Sequence, residues 1–161
     1  MKKFIITIVA ATFACAAFAQ TSEQLKKGSI LIHASSTSMD FKFTNGTTFG
    51  INAAGGYFIM DKLAVIGGIG TQVMDGGTMF TIGAGARYYF LPLGEGALFG
   101  SGKFNLSTGG GQTIFGIGLE GGYAFFLNRY ISIEPLLYLN IPFKEGAKVD
   151  VGIGAGISLY L

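Results

Sequence analysis

The chain has 161 residues, 50% of them hydrophobic and only 12% charged, with 27 glycines, no tryptophan and a single cysteine. Disordered chains are polar and charge-rich, and collagen needs glycine at a strict period of three, so this composition excludes both. Of eleven Lys and Arg residues, Lys2 and Lys3 sit in the leader described next. The other nine face nine acidic residues, a neutral balance that excludes a nucleic-acid binder dependent on a basic patch.

The chain opens on Lys2 and Lys3, continues through an apolar run over 4–18, and reaches the small-x-small site Ala17, Phe18, Ala19. A charged stretch, an apolar stretch and such a site together predict a secretory signal peptide over 1–19, removed after Ala19. What remains, 20–161, is enough for one domain. Cys15 leaves with the signal, so the mature chain has no disulfide, no thiolate nucleophile and no cysteine metal site. All 27 glycines stay. Many interrupt apolar runs, as from Val151 to Ile157, which a helix tolerates poorly at about 1 kcal/mol per glycine.

After the leader no apolar run reaches the roughly 18 residues of a membrane-spanning helix. The longest uncharged stretch lies between Lys103 and Glu120 and is broken from Ser107 to Gln112. The remaining backbone-satisfied way through lipid is a closed β-barrel. Segments of strand length follow one another at 27–37, 47–58, 63–74, 78–90, 96–107, 112–126, 131–141 and 148–161. Turn residues separate them: Asn45-Gly46, Met60 to Lys62, Asp75 to Gly77, Leu91 to Gly96, Thr108 to Gly111, Asn128-Arg129 and Pro142 to Gly146. The expected fold is all-β, a closed antiparallel eight-stranded transmembrane β-barrel with short turns.

Alternation decides which face meets lipid. In the fourth strand Phe80, Ile82, Ala84 and Ala86 share one face and Thr81, Gly83, Gly85 and Arg87 the other. The fifth to eighth strands alternate likewise, and Arg87, Lys103, Glu120, Glu134 and Asp150 all fall on the polar face. A soluble secreted ligand-binding barrel needs the reverse, with the charges in water. Turning the apolar face inward here would leave a surface of Gly, Ser and Thr, far below the roughly 25–35% charge of a soluble one.

Four lumen charges form the candidate site: Arg87, Lys103, Glu120 and Glu134. Their signs balance, and Lys103 and Glu120 are expected at similar depth on adjacent strands. Desolvated charges must be paired or cost several kcal/mol each. An eight-stranded barrel is just wide enough for side chains, so they read as an ion-pair plug in preference to a pore lining. The aromatics Tyr57, Tyr88, Phe90, Phe125, Tyr130 and Tyr160 lie near strand ends and read as a girdle at the periplasmic interface. The lone His33 has lumen parity, and with Ser35, Ser36 or Ser132 and a carboxylate it could build a lipid-hydrolysing site. The plainer reading is a histidine held by polar neighbours. The glycine runs Gly83 to Gly85 and Gly152 to Gly156 precede no helix, so they are not phosphate loops. No cofactor or metal site is expected. The longest outward loop, Met39 to Asn45, offers little surface for recognition.

In this order, Lys27 to Ile32, Gly56 to Phe58, Asp61 to Ala64, Gly85 to Phe90, Gly122 to Asn128 and Gly156 to Leu161 give the chain a resemblance. It resembles the small outer-membrane β-barrel, or porin family, proteins of Gram-negative bacteria, over essentially its whole mature length. The family's terminal aromatic stands one place in, as Tyr160 before Leu161. The resemblance implies the bacterial outer membrane, lipid contact and handling by the barrel-assembly machinery. The expected protein is a non-enzymatic monomer, structural or passing small or apolar solutes. The alternatives are a lipid-modifying barrel enzyme using His33 and a soluble secreted ligand-binding barrel.

Overall fold

The computed structural model of the chain describes residues 23–39, 49–74, 77–93, 95–144, 146–147 and 149–161. The 1–19 leader and the Asn45-Gly46 turn lie outside the described residues. A short 3-10 turn, η1 (Glu23–Leu25), precedes eight strands: β1 (Ile30–Met39), β2 (Phe49–Met60), β3 (Leu63–Met74), β4 (Gly77–Leu93), β5 (Gly96–Gly109), β6 (Gln112–Phe126), β7 (Ile131–Pro142) and β8 (Asp150–Tyr160). Each strand pairs antiparallel with the next, and β8 pairs with β1, closing the barrel. Closure leaves no edge with unpaired backbone groups, the condition for strands in lipid.

Several boundaries shift by one to three residues from those read in the sequence, and two of the shifts have a clear cause. β1 starts at Ile30 instead of 27, because η1 and a left-handed Gly28 (φ 96°) occupy the approach to the strand. β4 continues through Leu91 and Pro92 to Leu93, where a turn was expected. A register shift between Tyr89 and Leu91 bends the strand there, and proline is tolerated beside such a bulge. The β5–β6 connection is two residues, Gly110 (φ 59°) and Gly111 (φ 77°). Both φ values are positive, the conformation that a tight hairpin requires and glycine adopts without cost.

At the end that carries both termini, η1 is tied across the mouth. The Lys62 N–H donates to the Leu25 carbonyl at 2.6 Å, and the Lys27 N–H to Asp61 Oδ1 at 2.8 Å. Leu25 is thereby buried beneath the barrel. Above it lies an inward apolar layer of Leu31, Phe58, Ala97, Ala124, Tyr89 and Phe99. Tyr89 is its centre, with ring centroids 5.9 Å from Phe58, 5.8 Å from Phe99 and 6.4 Å from Tyr160.

The outer wall is the apolar face. Phe104 is 72% exposed and Leu137 62%, and Ile69, Phe80, Phe115 and Val151 are similar. The charges within strands point inward. This is the reverse of a soluble ligand-binding barrel, and that alternative fails on the direction of its side chains. Glycine on the inner face makes room for a long neighbour: a Cβ at Gly152 would stand 2.5 Å from the Tyr138 ring, its partner across β7–β8.

Candidate functional site

The inward residues of β4 to β7 meet in one charged layer just above the apolar one. Arg87, on β4, is 1% exposed, and Glu134, on β7, is 0%. The Arg87 Nη1 donates to Glu134 Oε2 at 2.8 Å, and its Nη2 stands 3.5 Å from Glu120 Oε2. Its guanidinium also lies 4.3 Å from the Phe99 ring centroid, so one face is covered by an aromatic. Glu120 receives two further donors, Ser101 Oγ at 2.9 Å and Lys103 Nζ. Lys103 is the most open member, its side chain 19% exposed.

Glu134 is the hub. Besides Arg87 it accepts from Ser132 Oγ at 2.7 Å and from the Tyr160 hydroxyl at 2.9 Å. The Tyr160 hydroxyl also lies 3.1 Å from that of Tyr89, which joins the charged layer to the apolar one below. A buried carboxylate needs this density of donors, since each lone pair left without one carries its full desolvation cost. Two cations and two carboxylates in one desolvated layer balance to zero. The structure thus brings Arg87, Lys103, Glu120 and Glu134 together, and it adds Ser101, Ser132, Tyr89 and Tyr160.

Tyr160 corrects the expected girdle. It is buried inside, because even-numbered residues of β8 point inward and its hydroxyl finds Glu134 and Ser132. Of the other expected girdle residues, Tyr57, Phe125 and Tyr130 are exposed on the outer wall, and Tyr88 and Phe90 are half-covered and stacked. All five lie near the end that carries the termini.

His33 sits in the same layer, buried on β1. Its Nδ1 is 2.8 Å from Ser158 Oγ and 3.3 Å from Glu134 Oε2. The residue types are those of a hydrolytic triad, but the geometry is not. A triad places the serine on one ring nitrogen and the acid on the other. Here both meet Nδ1, Nε2 is buried with no partner among the described residues, and Ser158 is fully buried. Of the serines considered from the sequence, Ser132 is engaged by Glu134. Gly156 leaves the space the ring needs, for a Cβ there would stand 2.5 Å from His33 Cε1.

No family model matches the chain, and neither does any curated protein. Solved structures do. The N-terminal β-barrel domain of Pseudomonas aeruginosa OprF superimposes with a TM-score of 0.63 at 14% identity, over 84% of this chain and 98% of that one. Neisserial surface protein A gives 0.59 at 17% identity, over 81% and 95%. A de novo designed transmembrane β-barrel gives 0.61 at 9% identity, over 84% and 98%. At such identities the common property is architecture: the chain has the fold of the eight-stranded outer-membrane β-barrels.

Proposed function

We propose that this chain is an integral outer-membrane protein whose barrel is a closed, non-enzymatic scaffold, its lumen plugged by side chains at the end that carries the termini. The observation that supports this most is Arg87, buried in the barrel and held between Glu134 and Glu120 over a layer of aromatic rings. Side chains that fill the section of a narrow barrel leave no continuous water column, and open channels belong to barrels of about 16 strands. The apolar outer wall takes membrane lipid as its solvent. A closed ladder favours a monomer, because no strand edge is left to recruit a second copy. Export through a signal removed after Ala19 and insertion by the barrel-assembly machinery belong to this reading. N-terminal sequencing of the mature protein then starts at Gln20.

Planar-bilayer recording of the refolded protein tests the plug. The expected result is a membrane with no stable single-channel steps. Steady ohmic steps, with an ion selectivity that moves when Lys103 is neutralised, would replace the scaffold by a pore.

A further inference from the structure

The charged layer is not the only built feature. On the outer wall, in the half of the barrel away from the termini, outward side chains of β4, β5 and β6 border a shallow hollow. A groove of about 260 Å³ runs among Ile82, Phe104, Leu106, Phe115 and Phe143, with the small Ala84 as part of its floor. Phe104 lies near the middle of β5 and Phe115 near the start of β6, so the groove runs from mid-wall to the rim. Phe143, just past β7, is fixed over β6 by its N–H to the Phe115 carbonyl at 2.7 Å. A second hollow at the rim, about 450 Å³, shares Phe115 and Phe143 with the first and is lined by Gln112, Thr113 and Lys144. Apolar groove and polar rim are therefore continuous.

Two observations together define an occupant. Three phenylalanines more than half exposed surround a hollow floored by a small residue, a shape for one alkyl chain. At the rim end Lys144 is exposed, and among the described residues its side chain is bonded to Gln112, a neutral amide. Among the described residues no carboxylate pairs with Lys144, and basic residues at a membrane surface attract anionic lipid. We infer that this groove is a binding site for one phospholipid of net negative charge, with an acyl chain between Phe104, Phe115 and Phe143 and the anionic headgroup phosphate at Lys144. The inference rests on the membrane reading above.

The test uses the whole refolded chain. It is inserted into phosphatidylcholine vesicles carrying a minor fraction of phosphatidylglycerol, then extracted in a nonionic detergent, and retained lipid is read by native mass spectrometry. The wild type retains one phosphatidylglycerol in preference to phosphatidylcholine. Lys144→Gln lowers that retention several-fold by removing the charge. Ala84→Phe abolishes it by filling the groove, and since its side chain points out of the barrel, folding is preserved and is checked by heat-modifiable migration. Lys26→Gln, at the opposite end, retains as much as the wild type. Inserted wild-type protein without a preference for phosphatidylglycerol overturns the site and leaves the membrane reading standing, as does undiminished retention by both variants. Protein that fails to float with the vesicles overturns both.

Discussion

The two halves of the lumen are built from the same alternation and filled in opposite ways. Toward the termini, Leu31, Phe58, Tyr89 and Phe99 pack under Arg87, Glu134 and His33, and these seven side chains are buried. Toward the Gly110-Gly111 turn the inward residues include Gly70, Gly83 and Gly118, beside the long polar side chains of Asn52, Asn105 and Asn140. There the glycines yield their space to the amides: the Asn105 amide nitrogen would stand 2.5 Å from a Cβ at Gly118, and Asn140 Oδ1 3.1 Å. In the first half charge is desolvated and must be paired. In the second, amides half-open to solvent carry no charge to strand. The difference teaches that inward-facing polarity is not one property, and that a substitution's cost depends on which half it enters.

Arg87→Met should have the largest effect. It leaves Glu134 as an uncompensated buried carboxylate, a loss of about 3–5 kcal/mol, read as the shift of urea unfolding in lipid vesicles. Gly156→Ala comes next. Its methyl has to push the His33 ring off Ser158, an overpacking of about 1–3 kcal/mol, whereas Gly67→Ala, with nothing nearer than 3.9 Å, should be almost silent. Lys103→Met should fall toward the lower end of about 1–3 kcal/mol, the range for a buried acceptor that loses one partner. Its charge is partly open to the lumen, and Glu120 keeps Ser101 and Arg87 as partners. Asn105→Ala, in the glycine-lined half, should fall below about 1 kcal/mol, the size of one ordinary hydrogen bond. An Asn105 variant as damaging as Arg87→Met would erase the contrast between the halves.

Much of this was legible in the residues. Alternation alone turns Arg87, Lys103, Glu120 and Glu134 inward. Their exact register was not, because the residues suggest a β5–β6 connection from Thr108 to Gly111, two residues longer than the Gly110-Gly111 turn that sets Lys103 opposite Gly118 and Ser101 opposite Glu120. Contacts that depend on closure were not legible. His33 faces Ser158 across β1–β8, 125 residues apart, and Arg87 reaches Glu134 from β4 to β7 across the lumen. No hairpin arithmetic links those pairs. Tyr160 shows two rules in conflict. Its position at a strand end suggests the interface, its parity suggests the lumen, and the donor-hungry Glu134 decides for the lumen.

The central claim is that the charged layer is a paired, desolvated plug, and a double-mutant cycle on Arg87 and Glu134 tests it most directly. Unfolding free energies of the wild type, Arg87→Met, Glu134→Gln and the double variant are measured in the same vesicles. A plug predicts two large single losses and a double variant that recovers much of them, because no unpaired charge remains, with a coupling of about 0.5–3 kcal/mol or more. Additive losses below about 1 kcal/mol, the behaviour of charges standing in water, would contradict it.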